Sequence, residues 1–410
     1  MRPDRLARRL VDLLGPTGGA ARQSVYALGL NSVTSFAAGA MLVGFEATWR
    51  AYSPMLIMVP AAIGLRGNVF STLGNRLSTA IHTGTFRVSF RRDSVLGQNL
   101  LASFSLTLVM SVVLAAFAKM LGIALGAEQN ISFLELAMVS SLGGILGSII
   151  VAAATVLLTI GAVRYEWDLD YLVAPTVSTL GDGITIPALW LAAQIVSPGH
   201  VDSILGTGFT VAAVAVAAWT WRSKLDLVRQ VFRESLPVLS VALLLSAFAG
   251  VVLQGQGEIL ALLPALGMMQ PAFVSSAGAL GGILCGRIGT NLHIGSVSPT
   301  LVPGTEARRD ASSILGLAIP LLLFNATGAW LAAVATGHAT DPGFGWLLAS
   351  SALASAATLT FVGALAYYST IGAWRFNLDP DTYGTPLVTA SVDFVGTMSL
   401  VVAAFVLGIL

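Results

Sequence analysis

Two aspartates stand where aspartate is costly. Asp182 and Asp393 each fall about twelve residues into a long apolar run, which at 1.5 Å per residue is roughly 18 Å deep, near the middle of a hydrocarbon layer. A carboxylate facing lipid at that depth costs at least about 2.5 kcal/mol, so each must face a wet interior or a bound cation. Together they supply two negative charges, matching one divalent ion. On the first run Pro175, Ser178, Thr179, Asp182 and Thr185 share a helical face, and on the second Pro386, Thr389, Asp393 and Thr397 do the same. Hydroxyls and proline-freed carbonyls suit a hard ion that keeps much of its water, and Mg2+ dehydrates reluctantly. The competing reading, a protonated aspartate bonded to a neighbouring helix, would have to arise twice at matching places.

Other polar groups carry weaker signals. Asn68, Ser71, Asn75 and Ser78 form a stripe on the second apolar run, and Asn68 and Asn75 are candidate pore-lining residues. Ser140, Gly144 and Ser148, with Ser351 and Ser355, have the small-residue spacing of close helix packing. Arg76 and Arg287 suit snorkelling or pairing near a helix end. Asp168, Asp170, Asp379 and Asp381 precede the two aspartate-bearing helices. They read as helix caps, or as a cation site at the cytoplasmic mouth. His82 and His293 lack a second imidazole or thiolate at zinc-ligand spacing. No phosphate-binding loop, dinucleotide turn, nucleophile elbow or HExxH occurs, and no organic cofactor is implied.

The elements that would position these groups follow from composition. Of 410 residues 55% are apolar and 10% charged, with a mean hydropathy of +0.83. A soluble domain carries about 25% charged residues, so the chain reads as an all-α polytopic membrane protein with lipid as its main partner. The net charge of +1 and the absence of a basic block give no reason to expect nucleic acid, and one cysteine, Cys285, excludes an internal disulfide. Apolar runs near 24–49, 54–84, 94–120, 132–162, 171–197, 203–221, 235–254, 259–295, 311–336, 344–373 and 382–410 predict eleven spans. With the N-terminus inside, sixteen of the 21 basic residues fall on the inner side, which sets the orientation as N-inside, C-outside.

The chain also repeats. The stretch from Val59 aligns without gaps to that from Gln270, placing Pro60, Gly67, Arg76, Thr79, His82 and Gly84 on Pro271, Gly278, Arg287, Thr290, His293 and Gly295. A second pair places Arg164, Asp168, Asp170, Pro175 and Asp182 on Arg375, Asp379, Asp381, Pro386 and Asp393, with the same offset of 211. The implied organisation is a segment 1–23, a five-span repeat 24–198, a connector 199–228 and a second repeat 229–410. Five spans per repeat plus one connector (5+1+5) make the two repeats parallel, a fused pseudo-dimer able to function as a monomer with a pore between its halves.

The motifs GLRGNVFSTLGNRLSTAIHTG, APTVSTLGDGITIP and TPLVTASVDFVGT resemble the MgtE magnesium transporter family, especially its duplicated branch, which includes the animal solute-carrier magnesium transporters. The resemblance spans essentially the whole chain. It implies a multi-pass cell-membrane transporter of Mg2+, with Mn2+, Co2+ or Zn2+ as other cargoes. It also implies that Asp182 and Asp393 line a central pore, with Ser178 and Thr389 one turn earlier. The bacterial members carry a large cytoplasmic sensor, whereas only about 23 residues precede the first apolar run here, so that gating does not carry over. A Na+- or H+-coupled exchanger on the same scaffold stays open. An intramembrane aspartyl protease also needs two embedded aspartates, but its Gly-x-Gly-Asp motif is incomplete at Asp182 and absent at Asp393. A non-enzymatic transporter is the expectation.

Overall fold

A computed structural model describes residues 28–38, 41, 45, 48, 52–126, 131–165, 169–196, 201–255, 264–335, 337 and 343–408, and among them there is helix and no strand. The helices are α1 (28–38), α2 (Ser53–His82), α3 (Val95–Ala124), α4 (Phe133–Tyr165), α5 (Leu169–Ala193), α6 (Val201–Trp221), α7 (Asp226–Gly255), α8 (Pro264–Ile294), α9 (Thr305–Gly316), α10 (Ala318–Ala335), α11 (Phe344–Arg375) and α12 (Pro380–Val406).

Local chemistry sets the helix ends. Ser94 caps α3 by accepting from the Gly97 N–H at 3.0 Å, and a Cβ at Gly97 would lie 2.1 Å from the Arg91 carbonyl oxygen, so only glycine fits. Ser132 and Glu135 form a reciprocal capping box before α4, the Ser132 N–H donating to Oε2 at 2.5 Å and the Glu135 N–H to Oγ at 3.3 Å. Helices α2 and α8 end identically. Gly84 and Gly295, 211 residues apart, take φ of +70° and +83°, and their N–H groups close onto the carbonyls of Ile81 and Leu292.

Within the described residues, eight helical stretches are long and apolar enough to cross a bilayer: α3, α4, α6, α7, α8, α9 with α10, α11 and α12. The chain is therefore a multi-pass membrane protein. The first apolar run, 24–49, lies largely outside the described residues. Helices α2 and α5 cover the runs 54–84 and 171–197 and sit in the interior, most of α2 being buried. The run 311–336 is not one helix: the chain breaks at Leu317, between α9 and α10. Pro320, one turn on, has no N–H to offer the Gly316 carbonyl, so an unbroken ladder is impossible there.

The apolar interior forms two clusters. One joins α2, α3, α4, α5 and α7 with Ala38 of α1, and the other joins α8 to α12 with Leu28 of α1. The first described helix thus reaches the later half of the chain as well as its own, and α7 packs on α2 and α3 of the earlier half as well as on α12. Phe36 of α1 fills the space beside Gly328 of α10, where a Cβ would lie 2.5 Å from its ring. Gly250 of α7 lets that helix reach the α2 backbone, since a Cβ there would lie 2.7 Å from the Ile57 carbonyl oxygen. Helix α6 lies outside α3 and α4, crossing α4 so closely at Gly206 that a Cβ would meet the Leu134 carbonyl oxygen at 2.0 Å. Its exposed Ile204, Val211 and Val214 suit lipid.

Candidate cation site

Four helices meet at the centre: α2 and α5 from the first cluster, α8 and α12 from the second. Between them lies a cavity of about 140 Å3. Pro60, Gly64, Asn68 and Ser71 line it from α2, Asp182 from α5, Gln270, Pro271 and Ser275 from α8, and Thr389, Asp393 and Thr397 from α12. Pro60 and Pro271 interrupt their helices at equivalent positions, each leaving the carbonyl four residues earlier without its ladder bond.

Both aspartates reach this one space. Asp182 is buried and Asp393 partly buried. Among the described residues no lysine, arginine or histidine lines the cavity. What holds them is hydroxyl groups. Ser35 Oγ of α1 donates to Asp182 Oδ2 at 2.5 Å, and Ser246 Oγ of α7 donates to Asp393 Oδ2 at 2.6 Å. Ser35 and Ser246 are themselves 211 residues apart, so the exchanged helices α1 and α7 carry matching donors to matching acids. Asp182 Oδ2 also accepts from Ser275 Oγ at 2.7 Å.

The other candidates divide. Thr389 and Thr397 line the cavity; Thr389 Oγ1 donates to Asn68 Oδ1, and Thr397 accepts from Gln270 Nε2 at 2.9 Å. Thr179 and Asn75, expected to line the pore or to stand just behind its lining, lie behind the cavity wall. Thr179 Oγ1 donates to Asn31 Oδ1 at 3.2 Å, and Asn75 Nδ2 donates to Thr385 Oγ1 at 2.9 Å, because each is turned into a helix contact. The Ser178 side chain lies outside what is described, as do Asp168 and the side chains of Asp170 and Asp381. Asp379 immediately precedes α12 and accepts from Thr382 Oγ1 at 2.7 Å, an arrangement that suits a cap. Among the described residues no three His, Cys, Asp or Glu side chains cluster as a metal cage. His293 bonds the Gly289 carbonyl at 2.8 Å and meets Trp374 edge-on, and Arg287 lies 3.8 Å from Asp310.

The spacing of 211 also held the signal that sequence reading missed. Carried beyond the two motifs, it places Ser35 on Ser246 and Gly64 on Ser275. Serine is too common in apolar helices for either residue to stand out alone.

Comparison with known proteins agrees with this symmetry. A family model described as MgtE, divalent cation transporter, matches residues 59–192 and again 270–403, displaced by 211 residues at both ends. The chain is 25% identical over 380 residues to solute carrier family 41 member 2 of Xenopus laevis, covering 87% of this chain and 66% of that protein. It is 24% identical over 378 residues to solute carrier family 41 member 3 of Mus musculus, covering 86% and 75%. It therefore spans about two thirds to three quarters of these relatives. Two solved structures overlay weakly. The eukaryotic MATE transporter AtDTX14 gives a TM-score of 0.37 at 12% identity, covering 96% of each chain. The Vibrio cholerae MATE transporter VcmN in its bent form gives 0.30 at 12% identity, covering 97% of this chain and 96% of that one. Neither overlay bears on function. The twice-matched family model, over more than half of the residues, shows that this chain belongs to the MgtE family of divalent cation transporters.

Proposed function

We propose that the chain moves Mg2+ across the cell membrane through the central cavity, with Asp182 and Asp393 holding a partly hydrated ion. The observation that carries this is the convergence of two carboxylates on one cavity that no cationic side chain lines among the described residues. A single water needs roughly 10–15 Å3 of such space, so about 140 Å3 accommodates an ion with several waters. Thr389, Thr397, Ser275 and Asn68 supply the uncharged oxygens that a hydrated hard cation uses. The reading takes the chain as two parallel five-helix repeats with α6 as connector, N-terminus inside, working as a monomer. The acids at 168, 170, 379 and 381 then lie at the cytoplasmic mouth.

The experiment is Mg2+ flux into proteoliposomes of the purified full chain, with and without a Na+ or pH gradient. Saturable uptake in the wild type and its loss in the double variant Asp182→Asn with Asp393→Asn are expected. Wild-type flux in the double variant overturns the assignment. Strict dependence on the second gradient would make the transport coupled.

A further inference from the structure

The two halves of the site are not equal. Asp182 Oδ2 accepts two hydroxyl protons, from Ser35 at 2.5 Å and Ser275 at 2.7 Å. Asp393 Oδ2 accepts one, from Ser246 at 2.6 Å. The position equivalent to Ser275 is Gly64, and it faces the same atom, because a Cβ there would lie 3.3 Å from Asp393 Oδ2. The second donor is therefore missing for want of a side chain, with the backbone in place to carry one.

The difference extends one layer outward. Ser275 Oγ lies 3.2 Å from Asn31 Oδ1, a more distant acceptor for the one proton it gives Asp182, and Asn31 Oδ1 accepts from Thr179 Oγ1 at 3.2 Å. The equivalents of Asn31 and Thr179 are Ala242 and Ala390. A network of hydroxyls and one amide thus backs Asp182, while glycine and two alanines occupy the matching places behind Asp393. Each carboxylate oxygen offers two lone pairs. Among the described residues both on Asp182 Oδ2 are taken and only one on Asp393 Oδ2 is, while Oδ1 of neither acid has a hydrogen-bond partner.

We infer that the aspartates divide the work: Asp393, with Oδ1 and one side of Oδ2 open, gives the hydrated cation its main hold, and Asp182, pinned by Ser35 and Ser275, contributes through Oδ1 alone. Ser275 is a positioning residue that holds Asp182 in this lesser role, and Gly64 leaves Asp393 free to turn onto the ion. This inference rests on the proposed Mg2+ site.

The test measures Mg2+ affinity on the detergent-purified full chain, from the rise in unfolding temperature as Mg2+ is added, alongside proteoliposome flux. Asp393→Asn is expected to weaken apparent affinity at least about tenfold, and Asp182→Asn no more than about threefold, because the carboxylate with both oxygens open to the ion and its waters is lost only in the first. Ser275→Ala gives Asp182 the single hydroxyl that Asp393 has, so in that background the two losses should converge. Ser275→Thr, which keeps the hydroxyl, should restore the wild-type order, an effect mere packing would not produce. Gly64→Ser combined with Ser275→Ala should reverse the order. Ser275→Ala adds no atoms, so the test stands even if Gly64→Ser, crowded against Ser246 Oγ at 3.1 Å, fails to fold. Equal losses at the two aspartates, or a larger loss at Asp182, overturn the inference while leaving the site intact. Unchanged Mg2+ affinity in both single variants and their double would remove the site itself.

Discussion

Arg66 occupies the room that Gly147 leaves empty: a Cβ at Gly147 would lie 2.9 Å from Arg66 Nε. A Cβ at Gly144 would lie 3.8 Å from an Arg66 terminal nitrogen and 2.6 Å from Ser111 Oγ. Arg66 is buried on α2, one Nη donates weakly to the Ala62 carbonyl at 3.4 Å, and Nε has no hydrogen-bond partner. Two glycines of α4 outside the Ser140, Gly144 and Ser148 spacing thus do separate things. Gly147 admits the arginine, and Gly143 lets α4 approach the backbone of Ala188 and Leu189 on α5.

Gly147→Ala should destabilise the protein by about 1–3 kcal/mol, as overpacking does, because the guanidinium must move. Arg66→Met should remove most of that penalty, so the double variant would be more stable than the sum of the singles. Thermal unfolding in detergent reads both. Additive effects would mean that the two positions do not compete for one space.

Ser246→Ala and Ser35→Ala should differ. Removing Ser246 leaves Asp393 without a hydroxyl donor, whereas removing Ser35 leaves Asp182 with Ser275. Losing a hydrogen bond to a charged group costs about 1.5–3 kcal/mol, so Ser246→Ala should lower the unfolding temperature more. Equal shifts, or a larger one for Ser35→Ala, would count against this account of the two acids.

Two glycine substitutions give a paired control. Gly250→Ala drives a methyl to 2.7 Å from the Ile57 carbonyl oxygen, with backbone on both sides, and should cost about 1–3 kcal/mol. Gly208→Ala on α6 meets nothing within 4 Å and should be neutral or stabilising by up to about 1 kcal/mol through helix propensity. Unfolding midpoints of the two variants decide; matching values would deny the close crossing of α7 on α2.

Cys285 is 1% exposed, and a Cβ at Gly384 of α12 would lie 3.3 Å from its Sγ. A membrane-permeant maleimide should leave the native chain unlabelled and modify one thiol per chain after denaturation. Labelling at the rate of a free thiol in the folded protein would show that α8 and α12 part readily.

Asp182 and Asp393 were legible because a charge in an apolar run has few bland explanations, and the repeat removed chance. The family was legible from the same two motifs. Ser35 and Ser246 were not, since a hydroxyl costs little in a helix and nothing in local pattern says which way it points. The fate of Thr179 and Asn75 was hidden for a related reason. A helical face predicts direction from the helix axis, and here the neighbouring helix, through Asn31 or Thr385, occupies that direction before the cavity does. The break at Leu317 was missed because hydropathy weighs Pro320 as one residue among twenty, while its missing N–H decides the backbone.

The exchange of α1 and α7 sets a schedule for synthesis. Ser32 of α1 meets Ser276 Oγ of α8 at 3.1 Å, a contact 244 residues along the chain. While the earlier part of the protein is made and threaded into the bilayer, α1 has only part of its seat, on α5: the surfaces that will hold it on α8 and α10 do not yet exist. Helix α7 has the opposite fortune, emerging after α2 and α3 are already present to receive it. Assembly therefore cannot finish one half and then the other. The earlier half must be held incomplete, with the Ser35–Asp182 pair unmade or provisional, until α8 arrives. A ribosome paused before α8 would display a long-lived, protease-sensitive intermediate, and one paused after α10 would not.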